Sequence, residues 1–110
     1  MRSLKKEEYD LIVYLLKEKP NTELMIEELP SLFVEEMKDG GMGSLVFFNK
    51  NKSGRKYGKT MAQIQLSDID GIPLLISIDL DEQGNIYELD VWKGDFSPLK
   101  RFPLPPYNPI

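Results

Sequence analysis

From Ile72 to Trp92 the chain alternates apolar and polar residues around one short polar break, and no other stretch limits the fold as tightly. Ile72, Leu74, Ile76, Ile78 and Leu80 fall on one side of an extended chain; Pro73, Leu75, Ser77 and Asp79 fall on the other. A period of two over this length predicts a strand with one buried face. Asp81-Glu82-Gln83-Gly84 then supplies turn residues. Beyond it, Tyr87, Leu89 and Val91 share one face, and Ile86, Glu88, Asp90 and Trp92 the other. A four-residue loop pairing Leu80 with Asn85 sets Ile78 against Tyr87, Ile76 against Leu89 and Leu74 against Val91. A two-residue loop keeps the same parity, so the faces are set more firmly than the register. The expected hairpin has an apolar core face that includes Tyr87. Its outer face carries Ser77, Asp79, Glu88 and Asp90, with Trp92 near the end beside Pro73.

The remaining segments are placed relative to this hairpin. Ser3 reads as a helix N-cap, and Leu4, Glu8, Tyr9, Leu11, Ile12, Leu15 and Leu16 recur at helical spacing until Pro20. Residues 21–30 read as a connector with a short helix through Glu23–Ile26, and Leu32–Met37 as a first strand. Leu45–Phe48 and Thr60–Leu66 read as further strands, with Asn49–Gly54 a turn between them that Arg55, Lys56 and Lys59 extend into a basic hairpin tip. A three-residue loop Ile69-Asp70-Gly71, with Gly71 left-handed, pairs Asp68 with Ile72, Leu66 with Leu74 and Ile64 with Ile76. A two-residue turn would set Ser67 against Leu74 and is rejected. Asp68 and Asp70 have a sufficient role as turn residues. The tail holds Pro103, Pro105, Pro106 and Pro109 and reads as an extended strap over the domain edge.

Strands joined by short turns predict an α+β fold: an N-terminal helix packed on an antiparallel meander sheet of about five strands, with a Pro-rich C-terminal strap. The expected single domain spans 1–110, with a helix over about 4–19, a sheet over about 32–92 and an extended tail over about 98–110.

Composition narrows the chemistry. With neither Cys nor His, the 110 residues hold no thiolate nucleophile, Ser-His-Asp triad or Cys/His zinc site. The expectation is a protein that is not an enzyme and needs no cofactor. There is no run of eighteen apolar residues and no signal-peptide pattern, so a soluble, cytoplasmic protein is expected. The net charge of −4 is unevenly spread: residues 21–40 hold one basic and six acidic residues, 41–60 five basic and none acidic, and 61–97 one basic and eight acidic. Such segregation suits electrostatic steering of a partner, or simple solvation of a small sheet.

Two stretches invite a sharper reading. Asp39-Gly40-Gly41-Met42-Gly43-Ser44 resembles a phosphate cradle in composition, but it opens into a strand rather than a helix and lacks the following Lys-Ser/Thr. A tight hairpin turn is the favoured reading. Asp79–Asp90 follows a calcium-loop spacing, with Asp79, Asp81, Gly84, Ile86 and Asp90 at positions one, three, six, eight and twelve. Its flanks alternate with period two, however, whereas that loop sits between helices. The basic stretch 50–59 carries no nucleic-acid-binding motif in an acidic domain, so neither nucleic acid nor membrane is expected as a partner.

The strings Gly-Gly-Met-Gly-Ser at 40–44 and Glu-Leu-Asp-Val-Trp-Lys-Gly-Asp-Phe-Ser-Pro-Leu at 88–99 resemble an uncharacterised bacterial domain-of-unknown-function family of about this length. That resemblance implies no catalytic residues. In size, charge and architecture the chain also resembles small acidic α+β immunity proteins that mask bacterial toxins. The functional expectation is a non-enzymatic protein-binding module, in its concrete form a cytoplasmic immunity-type protein facing a basic toxin domain. Asp79, Glu88 and Asp90 would steer the partner and Trp92 would anchor it. Trp92 either meets solvent or packs under the Pro-rich tail. The alternative is a small-ligand or divalent-metal-binding protein using the 39–44 glycine turn or the 79–90 loop.

Overall fold

The computed structural model describes residues 1–48 and 54–110, and among these it is an α+β protein with one six-stranded antiparallel sheet. In chain order the elements are β1 (Arg2–Ser3), α1 (Lys6–Lys17), α2 (Glu23–Glu28), a 3₁₀ turn (Leu29–Ser31), β2 (Phe33–Glu36), β3 (Leu45–Phe47), β4 (Tyr57–Ser67), β5 (Pro73–Asp81) and β6 (Ile86–Lys93). The turn expected over Asn49–Gly54 lies, apart from Gly54, outside the described residues.

The strand order is β1-β2-β3-β6-β5-β4. The sheet is therefore a hairpin and a three-strand meander joined side by side rather than one continuous meander. β3 leads across to the far edge, and the chain then returns through β5 until β6 pairs with β3. The sixth strand is β1, a two-residue bridge that pairs Ser3 with Phe33. Ser3 is thus in the sheet rather than at a helix cap. The cap position falls to Lys5, whose amide donates to Glu8 Oε1 at 2.8 Å. Arg2 grips the same carboxylate with two parallel bonds of 2.8 and 2.9 Å, so β1 and the start of α1 are clamped together.

α1 turns Leu11, Ile12, Leu15 and Leu16 onto the inner face of the sheet, and each burial contributes about 2 kcal/mol. Ala62, Ile64 and Leu66 of β4 and Leu74, Ile76, Ile78 and Leu80 of β5 meet them there. The β4–β5 register is Leu66 opposite Leu74 and Ile64 opposite Ile76, the matching that apolar-to-apolar pairing demands. The tail closes the inner layer: Leu99, Phe102 and Tyr107 pack on the core, Tyr107 lies 4.7 Å from Tyr14, and the Ile110 amide donates to Gln65 O on the β4 edge.

The hairpin β5–β6 differs from expectation in two ways. Its register is Ile78 opposite Leu89, Ile76 opposite Val91 and Leu74 opposite Lys93, two residues from the pairing above. The turn is shorter than four residues: Asp81 N donates to Asn85 O and Gly84 N to Asp81 O, leaving Glu82-Gln83-Gly84 with Gly84 at φ 84°. After Asp79 pairs with Glu88, Leu80 pairs with Ile86, so Tyr87 is the extra residue of a bulge. The consequence corrects two side chains. Ile86 is buried in the core, and Tyr87 leaves it to lie beneath the Arg55 guanidinium, 4.9 Å from ring centroid to Cζ.

The Asp68–Ile72 turn has the same construction, with Asp68 N donating to Ile72 O, Gly71 N to Asp68 O, and Gly71 at φ 83°. Each turn opens on an aspartate, and each aspartate is buried against one cation: Asp68 against Lys93, Asp81 against Arg55. No helix among the described residues is long and apolar enough to cross a membrane.

Candidate interaction surface

The helices and the tail cover the inner face, and the outer face of β5 and β6 carries the four residues singled out from the sequence. Ladder pairing sets Asp79 opposite Glu88, Ser77 opposite Asp90 and Leu75 opposite Trp92. The three carboxylates thus fall on adjacent rungs of one face, with Trp92 on the next rung. Thr60 Oγ donates to Asp79 Oδ1 at 2.8 Å, and Tyr57 donates in turn to Thr60, which holds Asp79 nearly buried. None of Asp79, Glu88 and Asp90 makes an ion pair among the described residues. Burial and the charges of Asp79 and Asp90 push the Glu88 carboxyl up from its ordinary pKa. Burial, Asp79 and Asp39 do the same to Asp90. The electrostatic result is a negative stripe on a partly desolvated face, with no ion pair among the described residues and only the charge of Arg55 acting against the rise at Glu88.

Trp92 is 43% exposed. The Pro-rich strap therefore does not bury it; its aromatic partner is Phe96, edge to face at 5.7 Å and 74°. Phe96 is itself 66% exposed and has a left-handed φ of 63°. Sequence reading gave Phe96 no separate role, since a positive φ at a phenylalanine has no signature in residue type. On the other side of the stripe, Met1, Glu35, Val46, Phe48, Arg55 and Tyr87 line a shallow groove of about 250 Å³.

The two stretches read as ligand loops are otherwise engaged. Asp81 Oδ2 pairs with Arg55 at 2.9 Å, while its Oδ1 accepts the amides of Gln83 and Asn85. Its oxygens do not converge with those of Asp79 and Asp90, and no group of three or more carboxylates among the described residues is placed to hold a metal ion. In the 39–44 loop, the Asp39 carboxylate accepts the amides of Met42 and Ser44, the donors an anion would need.

That loop instead packs against the C-terminal string. Gly41 O accepts the Leu99 amide at 2.9 Å, and Cβ atoms at Gly41 and Gly43 would meet Pro98 at 3.4 Å and Leu99 at 3.1 Å. Ser44 Oγ both accepts from Val91 N and donates to Val91 O, so it substitutes for a strand residue beside β6. Lys93 ends β6 with its side chain wholly buried. Its ammonium lies 2.8 Å from Asp68, 2.7 Å from Asp70 and 3.2 Å from Pro98 O. Asp68 also accepts the amides of Lys100 and Arg101. Burial pushes Asp68 up, but these amides and Lys93 outweigh it and hold its pKa below the usual carboxylate range.

The two strings distinguished in the sequence are therefore one structural unit, a glycine loop and a strand end locked onto the tail around Lys93. No curated protein and no solved structure matches the chain. A family model does match it, over residues 1–103, a span that includes both strings; the chain belongs to the family described as a domain of unknown function, DUF6984.

Proposed function

We propose that this domain is a non-enzymatic protein-binding module that presents the outer face of β5 and β6 to a basic partner. The observation that carries the reading is the run of Asp79, Glu88 and Asp90, unpaired among the described residues, continued on the next rung by exposed Trp92. A charged stripe beside an exposed aromatic anchor suits recognition, with the carboxylates steering approach and the ring supplying buried area. In its concrete form the module is a cytoplasmic immunity-type protein that masks a basic toxin domain. The absence of both His and Cys supports a binding role over catalysis.

The test is co-purification from the native host with wild-type bait and with Glu88→Lys/Asp90→Lys bait. A basic protein retained by the wild type and lost from the charge-reversed bait is the expected result. Equal retention by both baits, or none by either, defeats the proposal. The small-ligand or divalent-metal reading at 39–44 or 79–90 has less support, because Asp39 and Asp81 are committed to backbone amides. A thermal-shift screen with divalent ions and nucleotides would revive it by showing a saturable rise in Tm.

A further inference from the structure

We infer that Trp92 and Phe96 form an aromatic platform for an arginine or lysine side chain of a basic protein segment, with Asp90 on the neighbouring rung and Asp95 beside Phe96 supplying opposing charge. The inference rests on the protein-binding reading and names the chemistry of the partner at one end of the acidic face.

Three observations on Phe96 lead there. Its ring is 66% exposed and belongs to no part of the core cluster, so its burial does little for folding. Its φ of 63° is a conformation that glycine or asparagine adopts at much lower cost than an aromatic residue. Its backbone is nonetheless held firmly: the Phe96 amide donates to Lys93 O, and Asp95 Oδ1 accepts both the amide and the hydroxyl of Ser97. An apolar ring placed in water on a strained but well-anchored turn is unfavourable for the isolated domain on both counts. Such strain concentrates where a side chain must be presented to something else.

The geometry selects the occupant. Trp92 and Phe96 meet edge to face, and both rings keep exposed surface beyond that contact; a cation over a ring face is attracted by its quadrupole. Asp90 lies two residues before Trp92 on the same side of β6, with Glu88 and Asp79 beyond it. Burial first, and the neighbouring carboxylates second, raise the carboxyl pKa values of Glu88 and Asp90; a bound cation would offset the like-charge part. The same carboxylates repel anionic lipid and nucleic acid, and a second copy presenting this face would bring acidic stripe against acidic stripe.

Trp92 is the only tryptophan in the chain, so its emission reports the site directly. The probe is an oligo-arginine amide peptide at low ionic strength, with oligo-glutamate as control. The expected result is a saturable change in Trp92 emission with Kd below about 1 mM for the basic peptide alone. Phe96→Gly is expected to weaken it about fivefold or more with Tm unchanged or raised, and Phe96→Leu, which keeps an apolar side chain, to weaken it similarly. Binding by both Phe96 variants at wild-type strength overturns the aromatic platform, and if Glu88→Gln/Asp90→Asn still weakens the peptide, the acidic face stands without it. No saturable change with wild-type protein, or an equal response to oligo-glutamate, overturns the inference and removes the cationic-partner basis of the proposed function.

Discussion

The Lys93 ammonium lies 2.8 Å from the Asp68 carboxylate, and neither side chain is exposed to solvent. The pair joins the end of β6 to the β4–β5 turn, and Asp68 passes the restraint to the tail through the amides of Lys100 and Arg101. A charge buried this completely is tolerable only with its partners in place. Lys93→Met should lower Tm by about 10 °C or more, because it leaves the fully buried Asp68 carboxylate without its cation. Asp68→Asn should lower it by about 5 °C, since Lys93 keeps Asp70 while the amides of Lys100 and Arg101 lose a charged acceptor. Thermal melts followed by circular dichroism check this, and a Tm within about 2 °C of wild type would contradict it.

Arg55 is the counterpart at the other end of β5. Its guanidinium bonds Asp81 Oδ2, Phe47 O and Ile86 O at 2.9, 2.7 and 2.5 Å and covers Tyr87. Arg55→Met should destabilise by about 3 kcal/mol in urea unfolding. Arg55→Lys should recover little of that loss, since an ammonium has no planar fork to reach three acceptors at once.

Gly58 is required for space rather than for an unusual φ. A Cβ there would collide with the carbonyl oxygen of Asp81, which is backbone and cannot step aside. Gly58→Ala should cost about 2 kcal/mol or more. At Gly84, where φ is 84° and nothing lies within 4 Å, alanine should cost only the left-handed penalty of about 1 kcal/mol. Comparing the two unfolding midpoints separates crowding from conformational strain.

The carboxylates divide into two groups with opposite pH signatures. Folding raises the pKa of Glu88 and Asp90, so their ionisation opposes folding; the penalty is complete above their raised values and absent below the ordinary carboxylate range. Glu88→Gln/Asp90→Asn should therefore raise Tm at neutral pH, with the gain shrinking as pH falls through that range. Asp68 and Asp81 have lowered pKa values; burial opposes this, but their amide bonds and cations prevail. Their stabilisation is present above about pH 4 and is lost as pH falls through their folded values. A series of melts between acid and neutral pH should show the double variant and wild type converging while both lose stability.

Much of the fold is legible because local rules suffice. The β4–β5 register was readable since only a three-residue loop with Gly71 left-handed places apolar side chains opposite one another. The outer-face grouping of Asp79, Glu88, Asp90 and Trp92 was readable from alternation, which the bulge leaves undisturbed beyond Glu88. Phe96 was not readable as part of that surface, because its exposure and left-handed backbone arise from a turn anchored on Lys93.

By itself the sequence determined the α+β class, the antiparallel pairing, the apolar inner face and the acidic outer one. These follow from periodicity and turn chemistry within short windows. Only the tertiary structure decided that β3 lies beside β6, that β5 and β6 pair two residues from the simplest register, and that Tyr87 leaves the core while Ile86 enters it. A two-residue slide preserves parity, so alternation cannot choose between registers. The observed register is the one that seats Arg55 on Asp81 and the Ile86 carbonyl, and Lys93 on Asp68, contacts between residues 25 to 31 positions apart whose strength comes from shared burial.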